Sequence, residues 1–273
     1  MVIQDMAGKK IRSPKRKQPL ICTVMRVKNE EKYLRYGLES LRALGGPVVV
    51  LDDGSTDATM SICSEFDYVH YFRQDDQLDI YGEPYKMDEG RDRTFIMREA
   101  LKLKPQWVFT LDGDEVLDPT TPERMLAAVT NCPDDVNVFE MFMAVMQTGP
   151  GEAKQKWLGP PEPYGRWQMD RMFRVRDADT AHEFVSNFTN NLHCGCVPPL
   201  RDYKRIKLDA WIRYYGYESP QAIERKAMFY EEHDPVNFPN VARMWRERAK
   251  YRPQAWPANP IAGAMSIANT VRY

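Results

Sequence analysis

The chain has 273 residues, 43% of them hydrophobic and 11% aromatic, which is enough for one large core, or for one core with a small subdomain, and argues against disorder of the whole. Its 38 basic side chains against 39 acidic ones leave a formal charge of −1, which gives no ground for nucleic acid as an obligatory partner. No apolar run reaches membrane-spanning length, and charges stand where a secretory signal needs an apolar segment, so a soluble, cytoplasmic product is expected.

Residues 1–19 are polar and basic without an amphipathic period, and a flexible arm is expected there. Residues 9–17 carry the charge to touch an anionic membrane, which would place the protein at its inner face. Leu20 to Met25 reads as a buried strand, and Asn29 as the cap of a helix with Leu34, Leu38, Leu41 and Leu44 on one face. A second strand, Pro47 to Leu51, runs into the polar turn Asp52 to Asp57 and then a helix of Met60, Cys63 and Phe66. Such a β-turn-α unit implies parallel pairing, and its acids fall at the carboxyl edge of the sheet, where open α/β sheets hold ligands. Val69 to Phe72 is a third strand, Gln74 to Glu89 a bordering loop, and Arg91, Arg93 and Arg98 line a helix with Ile96, Ala100 and Leu103 inward.

The stretch Trp107 to Leu111 favours a strand inside a sheet and ends abruptly in Asp112, Gly113, Asp114 and Glu115. Carboxylates so placed repel one another and lose hydration, so they either stay in solvent as an acidic turn or hold a cation. In the second case a hard divalent ion would in turn meet a substrate diphosphate. Two strand exits bring Asp52/Asp53 and Asp112/Asp114 to one edge, which favours the binding reading for both.

Beyond Asp118, Thr121 and Pro122 are expected to start a helix that buries Met125, Leu126 and Val129. Val136 to Met146 reads as a strand with Glu140 as an edge residue facing water. Gln147 to Gly165 is expected to form a long loop or lid, Arg166 to Arg176 a strand, and Asp177 to His182 a turn. From Trp211 the pattern is read as helical, with Ser219-Pro220 capping a helix of Ile223, Ala227 and Tyr230, then a helix over Phe238 to Arg248 and an extended tail. The expected architecture is α/β, a mixed, mainly parallel sheet flanked by helices, divided as an arm 1–19, a ligand-binding half 20–135, a region of strands and lid 136–210, and C-terminal helices and tail 211–273. The five cysteines suit a reducing compartment, and His193-Cys194-Gly195-Cys196 lacks the second cysteine pair of a zinc site.

The order of Val27-Lys28-Asn29-Glu30-Glu31, Leu51 to Asp57 and Leu111 to Glu115 resembles a family 2 type glycosyltransferase with the GT-A fold. The resemblance extends to Asp88 to Arg93, to His182-Glu183 after Arg171 to Arg174, and to Tyr215-Gly216-Tyr217-Glu218-Ser219-Pro220. It implies transfer of a sugar from a nucleotide-diphosphate sugar to a saccharide or other hydroxyl acceptor, with inversion, in polysaccharide, lipopolysaccharide or glycoprotein glycan assembly. It implies that Asp53 binds the base of the donor with Asp52 near the ribose, and that Arg93 and Arg91 reach the donor. Asp112 would face the ribose or metal-bound water, Asp114 would touch Mn²⁺ or Mg²⁺, and His182-Glu183 would lie at the acceptor side. Where close relatives carry a histidine before Tyr-Gly, this chain has Tyr214; either another residue such as His193 supplies that ligand, or metal binding is weaker. The acceptor hydroxyl needs a base opposite the diphosphate, for which Glu183 is the first choice and Asp170 the second. A catalytically inactive nucleotide-sugar-binding protein and a sugar-phosphate nucleotidyltransferase are the competing readings.

Overall fold

The computed structural model describes residues 19–157, 166–176, 194–200 and 202–233, together with 246 and 254–255. Alternation in β1, Ile21–Val27, sets its layers. Ile21, Met25 and Val27 are buried in one layer and Cys22 and Val24 in the other, because successive side chains of a strand point to opposite faces. β1 pairs in parallel with β2, Val48–Asp53, and on its other side with β4, Trp107–Thr110. β2 continues in parallel to the edge strand β3, Val69–Gln74. Both β2 and β4 are buried along their whole length, as strands covered on two faces must be.

Helices α1, Leu34–Leu41, α2, Thr59–Ser64, and α4, Thr121–Asn131, pack on the Met25 face, through Leu38, Ile62 and Met125 among others. Helix α3, Glu89–Lys102, covers the opposite face with Ile96, Met97 and Ala100. Its first turn is capped by Asp88, whose side chain accepts from the Arg91 N–H at 2.9 Å.

The sheet continues past β4. β8, Arg166–Arg174, pairs antiparallel with β4 and with β6, Val138–Val145; β6 pairs in parallel with β9, Arg205–Tyr214, and β9 antiparallel with β5, Glu115–Leu117. The eight strands run β3-β2-β1-β4-β8-β6-β9-β5, so the strand leading into Asp112 is interior and one strand away from β2. A separate small pair joins β7, Lys156–Trp157, to β10, Gln254–Ala255.

Several elements depart from the sequence reading. Trp211 lies in β9, not at the start of a helix: Ala210, Ile212 and Tyr214 enter one cluster and Trp211 another, a period of two. The helical stretch begins only at α5, Pro220–His233, where the Ala222 N–H donates to Ser219 Oγ at 3.1 Å as the Ser-Pro start predicts. Glu140 is not on an edge strand, since β6 is interior; it is half-buried, 3.8 Å from Lys207. Asn29 does not cap α1. It takes a positive φ of 55° and its side chain accepts from the Thr56 N–H at 2.8 Å, tying the exit of β1 to the turn after β2. Thr121 opens α4 without capping it, and its hydroxyl instead exchanges hydrogen bonds with the Trp211 backbone at 2.8 and 2.9 Å. The turn at Asp177 to His182 and the helix over Phe238 to Arg248, apart from Arg246, lie outside the described residues.

Candidate active site

The period of two also divides the adjacent acids that end β2. Asp52 follows Val48 and Val50 onto the α1 face, where it accepts hydrogen bonds from the Ser55 N–H at 2.8 Å, from the Tyr71 hydroxyl and from Arg73 at 3.1 Å. It fastens the turn to β3. Asp53 follows Val49 and Leu51 onto the α3 face, with Arg26, which follows Cys22 and Val24. Asp53 Oδ2 accepts from Arg26 at 2.5 Å and from the Tyr85 hydroxyl at 3.1 Å, and Oδ1 accepts from Gln74 at 2.8 Å. The same Arg26 and Gln74 reach Asp92 of α3 at 2.8 and 3.0 Å. Burial works against the charge on Arg26, but Asp53 and Asp92 outweigh it and raise its pKa further. Arg91 is spent on Asp79 and Asp92, at 2.9 and 2.8 Å.

At the end of β4, Asp112 shares the face of Val108 and meets Arg93 of α3, whose Nη2 donates to Oδ1 at 2.9 Å while its Nε donates to Glu89 at 2.7 Å. Behind the turn, buried Glu115 accepts from Arg171 at 2.6 and 3.0 Å and from the Asp112 N–H at 2.9 Å. Burial opposes the charge of Asp112, yet Arg93 and Arg171 hold its carboxyl below the usual range. Burial raises Asp114, with Asp112 adding repulsion, and pushes Glu115 up to about 7. Glu30, at the exit of β1, is pushed up to about 9 by burial and by the charge of Asp114.

Two glycines allow these parts to meet. A Cβ at Gly113 would stand 2.5 Å from Glu30 Cγ, so the turn lies flat on the exit of β1. A Cβ at Gly216 would stand 2.5 Å from Asp114 Oδ2 and 2.4 Å from the Tyr214 oxygen, so these two oxygens converge on one point. Over these groups opens a cavity of about 600 Å³, lined from β1 and its exit by Arg26, Lys28 and Glu30, from the other strand exits by Asp53, Asp112 and Asp114, and from α3 by Arg93. Tyr33, Tyr214, Tyr217 and, on α5, Arg225, Lys226 and Phe229 close it.

Of the residues named from sequence, Asp53, Arg93, Asp112 and Asp114 thus come together, whereas Asp52 and Arg91 are not among the lining residues. Asp170 is also not among them; both of its oxygens accept from Arg205 Nε, at 2.9 and 3.0 Å. Glu183 and His193 lie outside the described residues. Sequence reasoning missed Arg26, Glu30, Tyr85 and Lys226. Arg26 had a signal: a cation inside an otherwise apolar strand needs a buried acid nearby.

A hard cation suits the Asp114 carboxylate, but a neutral Tyr214 phenol is a poor companion ligand. Among the described residues no three His, Cys, Asp or Glu side chains assemble a metal-holding group. The donor set fits an ion anchored by Asp114 and completed by oxygens of a ligand.

Glu30 predicts a pH dependence. Its folded pKa of about 9 lies above the ordinary value of 4.5, so its proton is held more tightly in the folded state. The stability it contributes is complete below about pH 4.5 and is lost as pH rises toward 9. The melting temperature should therefore fall between pH 5 and pH 9, and Glu30→Gln should flatten that fall and melt higher than the parent at the alkaline end. Equal slopes in parent and variant would show that Glu30 ionises normally.

A largely parallel sheet with acids at two strand exits, a buried arginine reaching one of them and a cavity above is the GT-A architecture of nucleotide-diphospho-sugar transferases. The sequence model described as "Glycosyl transferase family 2" matches residues 22–190, more than half of the chain, and the protein belongs to that family. No curated protein sequence matches it. Among solved structures, S. aureus TarS is 15% identical with a TM-score of 0.48, over 85% of this chain and 44% of that one. Glucosyl-3-phosphoglycerate synthase from Mycobacterium tuberculosis, in complex with Mg²⁺ and uridine-diphosphate, is 12% identical with a TM-score of 0.43, over 88% of each chain. This chain therefore spans less than half of the length of TarS.

Proposed function

We propose that the protein transfers a sugar from a nucleotide-diphosphate sugar to a hydroxyl acceptor, a saccharide among the candidates, with inversion. The observation that carries this is the cavity itself: Asp53 at one parallel strand end and Asp112 and Asp114 at another face a single space, with Arg93 behind Asp112. Asp53 would accept from the base of the donor, and Asp112 would lie toward the ribose. Asp114 would hold Mn²⁺ or Mg²⁺ together with the diphosphate; when bound, the ion supplies positive charge where the leaving diphosphate develops negative charge. Inversion in one displacement needs a base on the far side of the sugar. The pairing of Asp170 with Arg205 supports giving that role to Glu183, which follows the β8 strand.

A panel of nucleotide sugars tests the reading: slow donor hydrolysis identifies the nucleotide and the sugar, and separates an enzyme from a mere binder. For the donor so identified, Asp53→Asn should weaken nucleoside diphosphate affinity by about 1–3 kcal/mol, the size of a hydrogen bond to a charged group. Calorimetry giving the same affinity for parent and variant, with both equally folded, removes Asp53 from base binding.

A further inference from the structure

Helix α5 presents two faces. Ile223 and Ala227 are buried in the core, while Ala222, Arg225, Lys226 and Phe229, at the helical spacing of three and four, line the cavity. The ammonium of Lys226 lies 5.9 Å from the centre of the Tyr214 ring and 5.8 Å from that of Tyr217. Tyr214 and Tyr217 stand close to Gly216 in sequence, where a Cβ would meet Asp114 Oδ2 at 2.5 Å. Charge interactions place the same ammonium near Glu30, Asp112 and Asp114. A cation carried on α5 thus faces the acidic strand exit, as Arg93 does from α3.

We infer that Lys226 is the fixed cation of the diphosphate subsite, an assignment that rests on the nucleotide-sugar reading above. Asp112 and Asp114, at one end of the cavity, repel an entering diphosphate. Arg93 does not answer that repulsion alone, because two of its nitrogens are already given to Glu89 and Asp112. The cations at the other end, Arg26 and Lys28, lie with Asp53 and so belong with the base. Lys226 lines the same end of the cavity as Asp112 and Asp114, and the rings of Tyr214 and Tyr217 bring its ammonium to the diphosphate side. In the displacement the acceptor oxygen bonds to the sugar C1 and gives its proton to the base, the bond from C1 to the β-phosphate oxygen breaks with its electron pair left on that oxygen, and Lys226 would donate a charge-assisted hydrogen bond to the phosphate while remaining protonated.

The test is calorimetry on the full chain with uridine, guanosine, adenosine, cytidine and thymidine diphosphates, each beside its parent nucleoside, for the parent, Lys226→Ala, Lys226→Arg and Asp53→Asn. The expected result is a loss of about tenfold or more in diphosphate affinity for Lys226→Ala, unchanged nucleoside affinity, and recovery of most of the loss by Lys226→Arg. A merely structural lysine would weaken both ligands alike. Lys226→Ala binding the diphosphate as tightly as the parent, while Asp53→Asn binds it less tightly, overturns the assignment and leaves the donor reading intact. If the parent binds none of the five diphosphates, both fall.

Discussion

Arg171→Met should destabilise the fold by about 3–5 kcal/mol, because it removes one partner of a buried ion pair and leaves the other uncompensated. Arg171 is 1% exposed and Glu115 1%, and the guanidinium meets both Glu115 oxygens. Glu115 in turn accepts from the Asp112 N–H, so the loss should also loosen the turn that carries Asp112 and Asp114. Adding Glu115→Gln to the variant should restore a large part of the stability, since a neutral amide is tolerated where a lone carboxylate is not. The pH response has a definite sign. Without Arg171 the Glu115 pKa rises above its present value of about 7, so the acid is neutral at pH 5 and the deficit of Arg171→Met should be smaller there than at pH 8. Urea denaturation at the two pH values measures this; a deficit below about 1 kcal/mol at pH 8 would mean that water or another cation takes over from Arg171.

Asp114→Ala should lower transfer by about a hundredfold or more, the usual scale for losing a group that stabilises charge on a leaving group. Metal titrations should show little binding to the parent alone and clear binding once nucleoside diphosphate is added. That second signal should vanish in Asp114→Ala. The reason is the poverty of the donor set among the described residues, one carboxylate beside a tyrosine phenol, which makes a poor cage for a hard cation until phosphate oxygens complete it. Transfer that continues undiminished in excess chelator would remove the ion from leaving-group chemistry and pass that charge to the arginines and Lys226.

The strand exits were legible in the sequence because each joins a short apolar run to a cluster of acids, and no packed alternative explains two of them in succession. The division of labour between Asp52 and Asp53 was legible in principle as well, from strand parity. The family resemblance instead sets both acids against the donor, Asp53 at the base and Asp52 near the ribose, whereas parity turns Asp52 to the other face of the sheet. Trp211 misled for a different reason. A strand buried on both faces, as β9 is from Ala210 to Ile212, shows little polar alternation, and its true period appears only once its two sides fall into separate clusters. The Lys226 position was hidden because a cation on an amphipathic helix reads as a solvent face until the partner surface is known. Arg26 joins Asp53 and Asp92 across 27 and 66 residues of chain, a separation no local pattern reveals.

The three groups that hold Asp53 have a consequence for the ligand's arrival. Arg26, Gln74 and Tyr85 fix the carboxylate from different elements, so its rotamer is settled when the chain folds and not when the donor docks. In the proposed role of Asp53, recognition would then lose little side-chain entropy. Gln74→Ala, which removes a neutral amide that bridges Asp53 and Asp92, would release that restraint. Its signature would be a binding entropy that turns less favourable while the carboxylate itself stays in place.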